Sequence, residues 1–117
     1  MYNPFSLEGK TILVTGASSG IGRATAIECS RMGAKVIITA RNEERLKETL
    51  EQLEGEDHCM ILCNLADTLA IDGLVSNLPE IHGLVNNAGF TKLSLLQFVK
   101  EEDLKSIFQV NTIAPVL

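Results

Sequence analysis

Four short aliphatic runs, spaced about 24 residues apart, constrain the fold of this chain more than any other feature. They are Thr11-Ile12-Leu13-Val14, Val36-Ile37-Ile38-Thr39, Cys59-Met60-Ile61-Leu62 and Gly83-Leu84-Val85. Each is nearly continuous in apolar character rather than alternating, the pattern of strands buried on both faces of a parallel sheet. Segments with helical signatures separate them. Strand, helix, strand at this spacing is the βαβ unit, whose right-handed crossovers put helices on both sheet faces. The expected fold is α/β, a doubly wound parallel sheet in three layers (αβα). A length of 117 residues allows one small domain and not two.

The intervening helices carry their own start and stop signals. The first is expected from about Gly20 to Met32, with the small residues Gly22, Ala26, Cys29 and Gly33 forming one stripe that lets its backbone approach the sheet. Gly33 then serves as a C-terminal stop. Asn42 caps the second helix, with Glu43 and Glu44 in its positively polarised first turn. Leu46, Leu50 and Leu53 face the sheet and Gly55 ends that helix. A third helix is expected over about Asp67 to Asn77, carrying Leu69, Gly73-Leu74 and Leu78. A fourth begins near Lys100–Asp103 and runs off the end of the chain through Ile107, Phe108, Val110 and Asn111.

Composition excludes several function classes. Hydrophobic residues make up 45% and charged residues 21%, ordinary for a globular protein, and the net charge of −5 provides no basic face for nucleic acid. No apolar run approaches the roughly 18 residues that would span a membrane, and the N-terminus lacks the pattern of a secretory signal. A cytoplasmic protein without a nucleic-acid or membrane partner is expected. Cys29, Cys59 and Cys63 are an odd set without a C-x-x-C pair, so reduced core packing is expected and no metal site. His58 adjoins Cys59 but adds no ligand spacing.

Between the first run and the first helix lies Thr15-Gly16-Ala17-Ser18-Ser19-Gly20-Ile21-Gly22. A helix N-terminus has unpaired N–H groups and a partial positive charge. Glycines let the backbone turn sharply and let a diphosphate come within contact distance, and Ser18 and Ser19 add hydroxyl donors. A tight turn needing glycine only for its dihedral angles is the alternative. The strand before and the helix after the turn favour dinucleotide binding.

The spacing T-G-x-x-x-G-x-G, rather than G-x-G-x-x-G, resembles the cofactor motif of the short-chain dehydrogenase/reductase family. Asn86-Asn87-Ala88-Gly89 resembles that family's N-N-A-G segment, which lines the cofactor pocket beside the glycine turn and braces the central sheet. Asn64-Leu65 matches the position where the family reads the adenine edge through a side chain and the next backbone amide. Asn111 resembles the catalytic-site asparagine, which sits at a bend of the fourth helix and holds a water in the proton relay. The lead-in Leu7-Glu8-Gly9-Lys10 is also typical, so the resemblance covers essentially the whole chain.

The resemblance implies that residues 1–117 are the N-terminal part of a single Rossmann-type NAD(P)-binding domain, truncated after the fourth strand and following helix. It assigns cofactor contacts to Gly16, Ser18, Ser19, Gly20, Ile21, Gly22, Arg41, Asn64, Leu65, Asn87, Ala88 and Gly89, with Asn111 as the catalytic-site residue. The end of strand two, Ile38-Thr39-Ala40-Arg41-Asn42, has no carboxylate to select NAD(H). Arg41 offers a guanidinium fork suited to the 2′-phosphate of NADP(H). A solvated surface arginine is the alternative.

The same resemblance implies a reductase of carbonyl or 3-oxoacyl-thioester substrates, most like 3-oxoacyl-[acyl-carrier-protein] reductase-type members of fatty acid metabolism, working as a homo-oligomer (dimer or tetramer). A non-catalytic dinucleotide sensor and an epimerase or dehydratase are the other readings. Family members carry a Ser and a Tyr-x-x-x-Lys a few dozen residues beyond the position of Asn111. The only tyrosine here is Tyr2. The 117-residue chain by itself is therefore expected to be inactive. The family strand order 3-2-1-4-5-6-7 would leave strand four as a sheet edge, and an isolated chain of this length is expected to be marginal or oligomeric.

Overall fold

The computed structural model describes residues 4–89, 100–113 and 115. Tyr2 lies outside these residues, as does the end of the expected fourth helix at 114, 116 and 117. The chain alternates β1 (Thr11–Thr15), α1 (Gly20–Arg31), β2 (Lys35–Ala40), α2 (Glu43–Gln52), β3 (Cys59–Leu62), α3 (Thr68–Ser76), β4 (Gly83–Val85) and α4 (Glu101–Phe108). All four strands coincide with the four aliphatic runs. They form one sheet of order β3-β2-β1-β4, with every pairing parallel. The register places Thr15 opposite Thr39 and Val14 opposite both Ile38 and Val85.

Side chains from alternate positions of β1 divide the core in two. Ile12 and Val14 join Val36, Ile38, Ala26 and Leu46 on the face covered by α1 and α2. Leu13 and Leu84 face the opposite side, where α3 contributes Ile71 and Leu74. Val14, Val36, Ile38 and Leu46 are fully buried, each stabilising the fold by about 1.5–3 kcal/mol relative to exposure. The two central strands therefore carry the main core.

The helix signals act largely where expected. The Asn42 side chain accepts from the Arg45 amide at 3.0 Å, and the Asp67 side chain accepts from the Leu69 amide at 3.0 Å. Gly33 takes φ +97° just past α1, in the left-handed region a C-terminal stop uses.

Four expectations need correction. The edge strands are not buried on both faces: Leu62 and Leu84 are half-exposed because, among the described residues, β3 and β4 each have one strand neighbour. Cys59, at the start of β3, is exposed, so only Cys63 of the three cysteines packs fully in a core. Leu69 points to solvent, since its side chain projects two positions, about 200°, from Ile71 on the buried face. The buried stripe of α1 runs Gly22, Ala26 and Ser30, with Cys29 only partly covered.

The end of α4 adds a feature beyond helix or no helix. After Phe108 the hydrogen-bond pattern widens to a π-helical turn over Gln109–Ile113, which contains Asn111.

Candidate functional site

The glycine turn leaves β1 at its carboxyl end and enters α1. In an open α/β sheet this crevice beyond the strand ends is where ligands bind. Gly16 has φ +65° and Gly20 has φ +57°. Gly22 is required for close approach: a Cβ there would run into the Gly16 carbonyl oxygen and the Asn87 side-chain amide. A Cβ on Gly16 would lie 2.9 Å from Ala88 Cα. The two segments pack backbone to backbone.

Thr15 ties them together. Its hydroxyl donates to the Val85 carbonyl (3.3 Å) and accepts from the amides of Asn87 (3.1 Å) and Ala88 (3.1 Å). The Asn87 side-chain amide in turn donates to the Gly16 carbonyl at 3.2 Å. Asn87 therefore sits on the same side of the sheet end as the glycine turn. In the sequence Thr15 was legible only as the first residue of the glycine motif; its place as the hub came from folding.

A cleft of about 380 Å³ opens between these segments and the start of α2. At one end it is lined by Gly16, Ser18 and Ser19, and opposite by Asn87, Ala88 and Gly89. At the other end lie Arg41, Asn42 and Arg45, with Asn64 and Leu65 beyond β3. Gly20, Ile21 and Gly22 are not in its lining; Ile21 projects to solvent at the first turn of α1, while Gly22 acts through packing. Asn111 is not in the lining either, but it packs on it: a Cβ at Gly89 would lie 3.1 Å from Asn111 Oδ1.

The electrostatics suit an anion. Ser19 is the N-cap of α1 but makes no side-chain capping bond, and no acidic residue occupies the first turn. The amides of Ser18 and Ser19 have no hydrogen-bond acceptor among the described residues. Arg41 and Arg45 likewise form no ion pair among the described residues, whereas Arg23 and Arg31 both do. Arg45 escaped sequence reasoning; its position in the first turn of the helix that Asn42 caps, just after Arg41, was the available signal.

Two further features bound the chemistry. Asn64 Oδ1 accepts from the Ala66 amide at 3.0 Å, which leaves a second lone pair and the side-chain N–H donors available. Cys63 also lines the cleft, and burial, reinforced by the charge of Asp67, pushes its thiol pKa up. It remains a protonated thiol at neutral pH and offers no thiolate nucleophile. Burial, then the Glu28 carboxylate, raises Cys29 in the same way.

The residues present fit a dinucleotide. The amides and hydroxyls of Ser18 and Ser19, without a partner among the described residues, stand where a diphosphate needs donors, and a Cβ at Gly20 would meet nothing within 4 Å, so the turn opens onto space. Two guanidinium groups stand at the far end.

Comparison with known proteins agrees with this geometry. The chain is 40% identical over 105 residues to a 3-oxoacyl-[acyl-carrier-protein] reductase FabG of Rickettsia felis, covering 90% of this chain and 43% of that protein. It is 38% identical over 110 residues to the protein of the same name from Escherichia coli, covering 91% and 45%. Among solved structures, a short chain dehydrogenase from Burkholderia cenocepacia in complex with NADP superposes with a TM-score of 0.88 at 33% identity, over 94% of this chain and 48% of that one. The chain thus spans less than half the length of these relatives. The family model described as short chain dehydrogenase matches residues 10–117, and with the parallel sheet, the glycine turn and Asn87 braced against it, the chain belongs to that oxidoreductase family.

Proposed function

We propose that these 117 residues form the cofactor-holding part of an NADP(H)-dependent reductase acting on carbonyl substrates of the 3-oxoacyl-thioester class. The observation that carries this reading is one cleft that holds, at one end, the Ser18 and Ser19 amides and, at the other, Arg41 and Arg45, none of them partnered among the described residues by an acceptor or an ion pair respectively. The substrate class rests on the relatives, which are 3-oxoacyl-[acyl-carrier-protein] reductases by name.

In this reading the amides and hydroxyls of Ser18 and Ser19, at the start of α1, take the diphosphate. Arg41 takes the 2′-phosphate, with Arg45 beside it. Asn64 and the Leu65 amide read the adenine edge, and Asn87, Ala88 and Gly89 line the path toward the nicotinamide. Asn111, held against Gly89 on the widened turn, positions a water for proton delivery. The dihydronicotinamide, when bound, supplies the hydride. Within these 117 residues no Ser, Tyr and Lys set matches the family's proton-transfer residues, so the chain binds and orients without supplying the acid.

Arg41→Asp tests the assignment. Titration of the 117-residue chain with NADPH should show affinity falling by about tenfold or more, the scale of one lost charge-assisted contact, while NADH binding changes far less. Unchanged NADPH affinity would remove the argument. The unsubstituted chain should bind NADPH without turning over a 3-oxoacyl thioester.

A further inference from the structure

Two carbonyls of the glycine turn are held by side chains that never reach the cleft. Thr49 of α2, fully buried, donates its hydroxyl to the Ala17 carbonyl at 2.8 Å. Arg23, in the first turn of α1, donates through Nη2 to the Ser18 carbonyl at 2.6 Å and through Nε to the Thr49 hydroxyl at 2.8 Å. The same Nη2 reaches the Arg45 carbonyl at 3.1 Å and Glu48 Oε2 at 3.5 Å. A single guanidinium thus joins the turn to α2 through four acceptors, two of them main-chain carbonyls on different segments. Neither Arg23 nor Thr49 lines the cleft.

The direction of these bonds fixes the direction of others. In a planar trans peptide the carbonyl of one residue and the amide of the next point to opposite sides. With the Ala17 and Ser18 carbonyls drawn toward α2, the amides of Ser18 and Ser19 are turned away from it, and these are the amides without an acceptor among the described residues. Rotation of either peptide would present a carbonyl oxygen to an incoming anion in place of an N–H. Donors fixed in advance bind an anion without a reorganisation cost, the principle of backbone anion nests.

We propose that Arg23, acting with Thr49, is a positioning residue that orients the Ser18 and Ser19 amides toward the cofactor diphosphate. This rests on the diphosphate reading above. The Arg side chain suits the task because its rigid fork can serve several acceptors at once, which a lysine ammonium on a flexible stem cannot do in the same geometry.

The test compares NADPH with adenosine 2′-monophosphate, which shares the adenine and 2′-phosphate but lacks the diphosphate. Binding of both to the 117-residue chain is measured by calorimetry for Arg23→Met, Thr49→Val and Thr49→Ser, with thermal unfolding alongside. Arg23→Met and Thr49→Val should weaken NADPH by about tenfold or more and leave adenosine 2′-monophosphate within about twofold, while Thr49→Ser, which keeps the hydroxyl, restores NADPH affinity. Equal weakening of both ligands, or a lowered unfolding temperature with NADPH affinity unchanged, would show a structural brace and overturn the proposal. Should Arg23→Met fail to fold, the near-isosteric Thr49 pair decides alone. Failure of the unsubstituted chain to bind NADPH would instead sink the underlying site reading.

Discussion

At the scale of single residues, the site was legible wherever a position has to be one amino acid. Gly22 has to be glycine because the Gly16 carbonyl and Asn87 leave no volume for a methyl group, and Asn87 has to reach Gly16 across the strand ends. Arg23 and Thr49 were not legible. Their bond joins two helices 26 positions apart, and nothing local distinguishes Arg23 from an ordinary solvated arginine. Thr39 shows the opposite case. It ends the apolar run of β2 and is almost fully buried, yet its hydroxyl has no hydrogen-bond partner among the described residues. A buried hydroxyl without a partner has lost hydration for no return. Thr39→Val should therefore raise stability by roughly 1 kcal/mol, seen as a rise in Tm on the order of 4 °C. A lower Tm would show that the hydroxyl is satisfied after all.

At the scale of elements, strand positions and helix caps followed from the sequence, while the closure of the sheet's amino end did not. The β2 amide of Val36 donates to His58 Nδ1 at 3.0 Å, and His58 Nε2 donates to the Glu54 carbonyl at 2.6 Å. That pairing requires the neutral imidazole protonated on Nε2. His82 does the same for β1, its Nδ1 accepting from the Thr11 amide at 2.9 Å. Both histidines therefore work as caps for strand ends, joining the connections that precede β3 and β4 to the central pair. In the sequence His58 stood only as a neighbour of Cys59 without metal-ligand spacing, because a lone histidine gives no hint of the amide it will meet. His58→Ala strands the Val36 amide next to a fully buried side chain and should cost about 1–3 kcal/mol in urea unfolding. A change below a few tenths would mean that water replaces the ring.

At the scale of the molecule, the core is densest around β1 and β2 and thins outward. Val14, Val36, Ile37 and Ile38 are fully buried, whereas Leu62 on β3 and Leu84 on β4 are half-exposed. The apolar character of the four runs is nearly uniform and by itself suggests burial on both faces; position in the sheet, which no single run encodes, makes β3 and β4 the edges among the described residues. Hydrogen exchange should register the difference. Amides of β1 and β2 should exchange slowest, and those of β3 and β4 faster by at least about an order of magnitude, since local opening of an edge releases fewer contacts. Uniform protection across all four strands would contradict that gradient.

The widened turn at Gln109–Ile113 has a consequence for how this sequence can change. Each residue of an α-helix advances the chain by about 100°, so losing one residue there would relax the turn to regular helix and swing Asn111 about a quarter of the way round the axis. The helix would survive and its apolar face would still look right in an alignment, yet the contact with Gly89 would be gone. Over that stretch the number of residues, rather than the identity of most of them, sets where Asn111 stands against Gly89.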